Sequence, residues 1–182
     1  MLEAAGLVFE VDTPRVDEEA AKLSLRAEGL TPRDQADALA ELKALSVSRA
    51  RSGFVIGADQ MLAIEGDVLD KPKDAAEAKA HLQRLRGNTH ELVTAAVVAR
   101  EGAVIWRYVD TPKLKMRSFS DAFLDDYLDR AGGDVLCSVG AYQLEGLGAQ
   151  LFDRVDGDFF SVLGLPLLPL LAFLREHGVV RP

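Results

Sequence analysis

Cysteine is almost absent from this 182-residue sequence: Cys137 stands alone. One cysteine makes neither an internal disulfide nor a cysteine-rich zinc site, so a reducing compartment, the cytoplasm, is the expected location. Basic charge is also short. Lys and Arg number 21 against 29 Asp and Glu, for a formal net charge of -8. Such an excess repels a nucleic-acid backbone and argues against DNA or RNA as a partner. It does not exclude a small polyphosphate, whose charge a divalent cation held by clustered carboxylates would carry. No run is long and apolar enough to span a bilayer, so no membrane partner is expected. The most apolar stretch, Leu163 to Leu174, contains Pro166 and Pro169 and reads as a buried helix with a proline start. Met1 to Val8 lacks a basic flank and includes Glu3, unlike a signal peptide. There is no Walker-type phosphate loop, no G-x-G-x-x-G after a strand and no nucleophile elbow. His81, His90 and His177 have no metal-ligand spacing, and Cys137, without a histidine partner, reads as a small apolar residue.

Hydrophobic residues make up 48% of the chain and charged residues 27%, the balance of a globular protein with a core of its own. No repeat or flexible linker interrupts it, and a single domain over 1–182 is expected. Leu7 to Val11 reads as a short strand. Thr31-Pro32-Arg33-Asp34 is a helix start, with a Thr cap, Pro at the first helical position and an acid three residues on. Leu39, Leu42 and Leu45 continue it at helical spacing. Phe54-Val55-Ile56-Gly57 is an apolar strand that leads into Ala58-Asp59-Gln60. A hairpin follows, turning at Glu65-Gly66-Asp67. Asp74 caps a helix that stops at Gly87, with Glu77 at the capping-box position. Leu92 to Arg100 and Ala103 to Val109 are β-rich runs joined at Glu101-Gly102. Ser120 caps a helix ending at Gly132-Gly133. Short strands are expected around Ala141 to Leu144 and Gln150 to Val155, then a turn at Asp156-Gly157-Asp158 and a last helix ending near Gly178. Helices alternating with strands and hairpins predict a mixed α/β sheet.

Asp59 is the sharpest chemical signal. A carboxylate at the exit of a buried strand is held by the rigid sheet, and its small neighbours leave room for a ligand; the other reading is a turn aspartate that caps backbone N–H groups. Lys71, between Asp70 and Pro72, would reach a phosphate oxygen as a point charge, or is a solvated surface lysine. Asp17-Glu18-Glu19 would bind Mg²⁺ or Mn²⁺, or is the charged start of a helix, where acids favour the dipole. The segment Gly140-Ala141-Tyr142-Gln143-Leu144-Glu145-Gly146-Leu147-Gly148 has glycines that permit close backbone approach to a ligand. Glu145 there would read the donor edge of a base; the alternative is two glycine-bent strands with no ligand.

Together these segments resemble the Maf family of nucleotide pyrophosphatases. The matching pieces, in the family's order, begin with Val16-Asp17-Glu18, Leu39 to Ala44, Ile56-Gly57-Ala58-Asp59-Gln60 and Asp70-Lys71-Pro72. They continue with Leu85 to His90 and Thr94, Gly140 to Gly148, Gly157-Asp158, and Gly164 to Leu167. Each is weak alone; their order over nearly the whole chain carries the resemblance. It implies a two-lobed α/β fold related to the inosine-triphosphate pyrophosphatases, with a mixed sheet, flanking helices and a central cleft. It implies removal of pyrophosphate from a nucleoside triphosphate with a divalent metal, Mg²⁺ or Mn²⁺, and a homodimer. Asp59 stands at the family's catalytic carboxylate, the base that activates water, and Lys71 at its Lys-Pro position beside the phosphates. Glu18 stands at an acidic metal position, shared with Asp59, and Lys43 joins Gln60 and Glu145 among the substrate-binding positions.

Much of the family has Thr after the catalytic Asp and Gln in the later glycine segment, and favours dTTP and UTP. Gln60 and Glu145 in those places resemble the branch that acts on 7-methyl-GTP and keeps modified nucleotides from being incorporated. A carboxylate accepts hydrogen bonds from a guanine N1–H and N2 amino group, whereas Gln both donates and accepts, as a pyrimidine edge requires. The sequence departs from the family in two places. Asp70 replaces a Gly before Lys71. Met1 to Leu7 matches only the end of a helix that the family precedes with a strand and a Ser-x-x-Arg-Arg loop. The expectation is a start downstream of the native one, or a degraded copy, with phosphate binding and activity reduced. Two other functions compete: a non-catalytic nucleotide-binding regulator of cell division and septum formation, and a metal-dependent phosphatase that releases orthophosphate.

Overall fold

Two tight turns set the hairpins of the sheet. Glu101 and Gly102 both take positive φ, 53° and 77°, the conformation whose twist matches paired antiparallel strands. They join β3 (Thr89–Arg100) to β4 (Ala103–Asp110), whose register runs from Arg100 opposite Ala103 to Thr94 opposite Asp110, with an irregularity between Val98 and Ala99. Glu65 and Gly66, at 53° and 87°, do the same between β1 (Val55–Ile64) and β2 (Asp67–Leu69). β5 (Lys113–Met116) pairs antiparallel with the start of β3 and with β6 (Phe152–Asp156). The six strands follow the order β2-β1-β3-β5-β6, with β4 on β3. This computed structural model describes residues 1–181.

The helices start where their capping side chains dictate. Asp17 accepts from Ala20 N ahead of α1 (Glu18–Ala27), and Thr31 Oγ1 accepts from Asp34 N ahead of α2 (Pro32–Ser48). Asp74 accepts from Glu77 N at the head of α3 (Ala75–Leu85). The Glu77 carboxylate, expected to reach back to the cap, instead accepts from Lys73 N at 2.8 Å. Ser120 caps α4 (Asp121–Ala131) and Asp158 caps the short α5 (Phe159–Val162). α6 (Leu167–Glu176) follows Pro166, so the proline start is as the sequence predicts, but Leu163 to Leu165 lie outside the helix and Leu168 is exposed.

The chain forms two compact units. The first comprises Met1–Asp59, Thr94–Asp110 and the stretch from Gly164 onward; the second comprises Gln60–Val93 and Thr111–Leu163. In the first, α2 buries Ala36, Leu39, Ala40 and Ala44, and Phe173 of α6 lies against Phe54, Trp106 and His177. In the second, Leu62, Leu82, Leu85, Leu114, Met116, Leu124 and Leu151 close a fully buried core. Burying each such side chain is worth about 1.5–3 kcal/mol against leaving it exposed.

Several local expectations are corrected. Leu7 to Val11 is irregular, and Val8 and Val11 are almost fully exposed; a strand needs a neighbour for its backbone groups, and none pairs here. Ala141 to Leu144 is not a strand, because Gly140 and Ala141 sit at φ 79° and 61°, outside the extended region. β1 does not end before Asp59 but runs five residues past it, so the carboxylate lies inside a strand rather than at its exit. Asp17-Glu18-Glu19 does open a helix, and β5 carried too short a pattern to be read beforehand. Cys137 is exposed rather than buried as a small apolar residue.

Candidate active site

Gly57 sets the geometry of the first unit. A Cβ at this position would lie 2.3 Å from Ala40 O and 2.6 Å from Ala44 N, so only glycine lets β1 lie directly on the α2 backbone. That approach carries Lys43, at the rim of the buried face of α2, to Asp59 two residues along the strand. Lys43 Nζ donates to Asp59 Oδ1 at 2.7 Å and lies 2.9 Å from Glu18 Oε2. Glu18 comes from the first turn of α1, which packs on α2, and also pairs with Lys22 at 3.0 Å. Three elements thus bring together an acid–lysine–acid cluster.

Asp59 is 8% exposed, and its Oδ2 is buried with no hydrogen-bond partner. Burial raises its pKa above the ordinary carboxylate value, and the hydrogen bond and charge of Lys43 only partly offset this. Burial alone would pull Lys43 down, but its bonds and charge pairing with Asp59 and Glu18 outweigh it and hold the ammonium above its usual pKa. Burial would raise Glu18, yet Lys43 and Lys22 together bring it below its usual value. The more exposed acid is therefore firmly ionised, and the buried one is the more basic.

The donor set suits a divalent cation. Two carboxylates converge on one point now held by an ammonium, and Asp59 Oδ2 is an oxygen acceptor without a partner. Among the described residues no group of three or more His, Cys, Asp or Glu side chains gathers for a metal. Two carboxylates are a number that would suit Mg²⁺ where phosphates and water complete its shell.

The second unit holds a pocket of about 200 Å³, lined by Gln60, Tyr142, Gln143, Glu145, Val162 and Leu163 among others. Gln60 Nε2 donates to Ser161 O at 3.0 Å and to Val162 O at 3.1 Å, which fixes its amide in the wall. Glu145 is exposed at the pocket's edge. Gln60 and Glu145, 85 positions apart in sequence, thus line one pocket. Lys71 lies in the exposed segment after β2 and has no ion pair among the described residues. Sequence reasoning singled out Gly140 to Gly148 but missed the histidine behind Tyr142. His90, on β3, is buried and within 2.6 Å (Nε2) of Tyr142 Oη.

Fold and site define an α/β protein whose first unit presents a buried carboxylate beside a second acid and a lysine, and whose second unit holds a polar pocket. The chain belongs to the Maf-like protein family, whose model matches residues 1–177. It is 56% identical over 180 residues to a nucleoside triphosphate pyrophosphatase of Caulobacter vibrioides, covering 99% of this chain and 90% of that protein. It is 55% identical over 181 residues to the nucleoside triphosphate pyrophosphatase of Rhodospirillum rubrum, with 99% and 90% covered. It is 48% identical over 181 residues to a 7-methyl-GTP pyrophosphatase of Rhizobium meliloti, with 99% and 91% covered.

Proposed function

We propose that this chain hydrolyses a nucleoside triphosphate to its monophosphate and pyrophosphate, and that 7-methyl-GTP is the substrate it takes. One observation carries the chemistry: a buried carboxylate with one oxygen tied to a lysine and the other without a partner. Lys43 fixes the rotamer of Asp59 through Oδ1 and leaves Oδ2 to accept a proton from water. Burial brings the basicity of Asp59 closer to neutral pH, where a general base works best. The water so activated attacks the α-phosphorus, and the bond to the bridging oxygen of the leaving pyrophosphate breaks. A divalent cation, Mg²⁺ or Mn²⁺, held by Glu18 and Asp59 supplies charge neutralisation on the phosphates when bound. The exposed ammonium of Lys71 is available to a phosphate oxygen.

The finer substrate rests on Gln60 and Glu145. Glu145 is acceptor-only when ionised and suits the N1–H and N2 amino donors of guanine. Gln60, committed to two backbone carbonyls, serves as a fixed wall. The relative from Rhizobium meliloti supports this assignment by name.

The test is product identity and substrate rank. With Mg²⁺ or Mn²⁺, the chain should release one pyrophosphate per nucleotide, with the highest kcat/KM on 7-methyl-GTP among 7-methyl-GTP, GTP, dTTP and UTP. Glu145→Gln should lower the preference for the guanine nucleotides over dTTP and UTP by roughly tenfold, the worth of a charged hydrogen bond to the base. Orthophosphate as product would replace this reading with a phosphatase, and binding without product with a regulator.

A further inference from the structure

The backbone that leads into the pocket wall is in an unfavourable conformation. Ala141 has φ 61°, a region that costs a non-glycine residue about 1–2 kcal/mol unless its surroundings hold it there. Three side-chain hydrogen bonds tie this backbone down. Ser138 Oγ donates to Tyr142 O at 2.6 Å, and Tyr127 Oη donates to Ala141 O at 3.0 Å. The third joins Tyr142 Oη and His90 Nε2 at 2.6 Å, inside the core. The rings of His90, Tyr142 and Phe152 pack together, with Tyr142 edge-on to Phe152 at 4.8 Å.

Gln143, Leu144 and Glu145 follow Tyr142 directly and line the pocket. Their far end is clamped as well. A Cβ on Gly148 would lie 2.5 Å from Gln143 O, and Gly146 N donates to that same oxygen at 3.2 Å. The pocket segment therefore has one end closed on itself and the other held by Tyr127 and Ser138 and, on the strand side, by one histidine–tyrosine bond.

We infer that His90 is a positioning residue for nucleotide recognition: through Tyr142 it holds the backbone that presents Gln143 and Glu145 to the pocket. The inference rests on the reading of this pocket as the base site. His90 does not touch the nucleotide. Without its tether, the Tyr142 side chain loses its hold on β3 and the residues that follow it shift, while Tyr127 and Ser138 still hold the carbonyls of Ala141 and Tyr142. Burial keeps the imidazole neutral, its pKa lowered to about 4, so the tether holds unchanged across the neutral range.

The experiment measures KM and kcat for 7-methyl-GTP in His90→Phe, Tyr142→Phe, the double variant and His90→Gln. Tyr142→Phe removes one oxygen and leaves the packing in place. It should raise KM roughly five- to tenfold, the worth of one hydrogen bond, with kcat within about twofold. His90→Phe should do the same, and the double variant should be no worse than either single change, because both cut one bond. His90→Gln, which places an amide group near the Nε2 position, should recover most of the wild-type KM. A mere packing role predicts no KM change in Tyr142→Phe and no rescue by Gln, and either result overturns the inference. If His90→Phe does not fold, Tyr142→Phe decides alone. Glu145→Gln in the same assay separates the two levels. Unchanged base preference there refutes the pocket reading and this inference with it. Altered preference alongside an unchanged KM in Tyr142→Phe refutes this inference alone.

Discussion

Asp59 meets its lysine through a single oxygen, and the consequences of that asymmetry are testable by substitution. Asp59→Asn keeps the shape and the acceptor for Lys43 but removes the base. Pyrophosphate release should fall by about 10²–10⁴-fold, the contribution of a positioned general base, with the thermal midpoint within a few degrees of wild type. Retention of more than a tenth of the activity would remove Asp59 from the role. Lys43→Met leaves a buried carboxylate without its donor and should cost about 1–3 kcal/mol in urea unfolding, besides lowering activity. Asp59 was legible in the sequence because an acid directly after an apolar strand and small residues is a place for a ligand, although the strand was read as ending before it and in fact runs on to Ile64. Lys43 was legible only as a member of a family motif. Its bridging of Glu18 and Asp59 depends on two helices and a strand meeting, which no local spacing encodes. The partnership of His90 and Tyr142, 52 positions apart, left no signal at all.

Elements were readable where their signals are local. The caps Thr31, Asp74 and Ser120 each accept the backbone N–H of the residue three positions on, because that bond is decided within one turn of helix. The turns at Glu65-Gly66 and Glu101-Gly102 were readable for the same reason. Elements that depend on distant partners were not. β5 forms because β3 and β6 flank it, whereas Leu7 to Val11 has strand-forming residues but no strand beside it. Gly57 is the element-scale residue on which the site depends. Gly57→Ala puts a methyl against the α2 backbone, which cannot yield as a flexible side chain would. The expected cost is about 1–3 kcal/mol or more, measured by denaturant midpoint, with loss of activity as α2 moves Lys43 away from Asp59. Wild-type stability in that variant would show that the strand and helix do not approach so closely.

At the scale of the whole molecule, acid stability follows from His90. An unfolded histidine titrates near 6.5, while buried His90 titrates at about 4. Between these values the unfolded chain binds the extra proton, so stability rises with pH across this window. The contribution is complete above the unfolded value and lost as pH falls toward 4, in all about 3 kcal/mol. His90→Phe should flatten the wild-type dependence of the unfolding free energy between pH 4 and 6.5; an equal slope in both proteins would show that His90 is not held neutral. The sequence by itself determined the alternation of helices and strands, the positions of caps and turns, and the residue types fit for cation and phosphate chemistry, because these depend on neighbours a few positions apart. Only the tertiary structure decided that Glu18, Lys43 and Asp59 share one cluster, that Gln60 and Glu145 line one pocket, and that a buried histidine moors its wall. Those arrangements follow from which backbones can approach one another, and that is fixed by packing and steric contact across the chain.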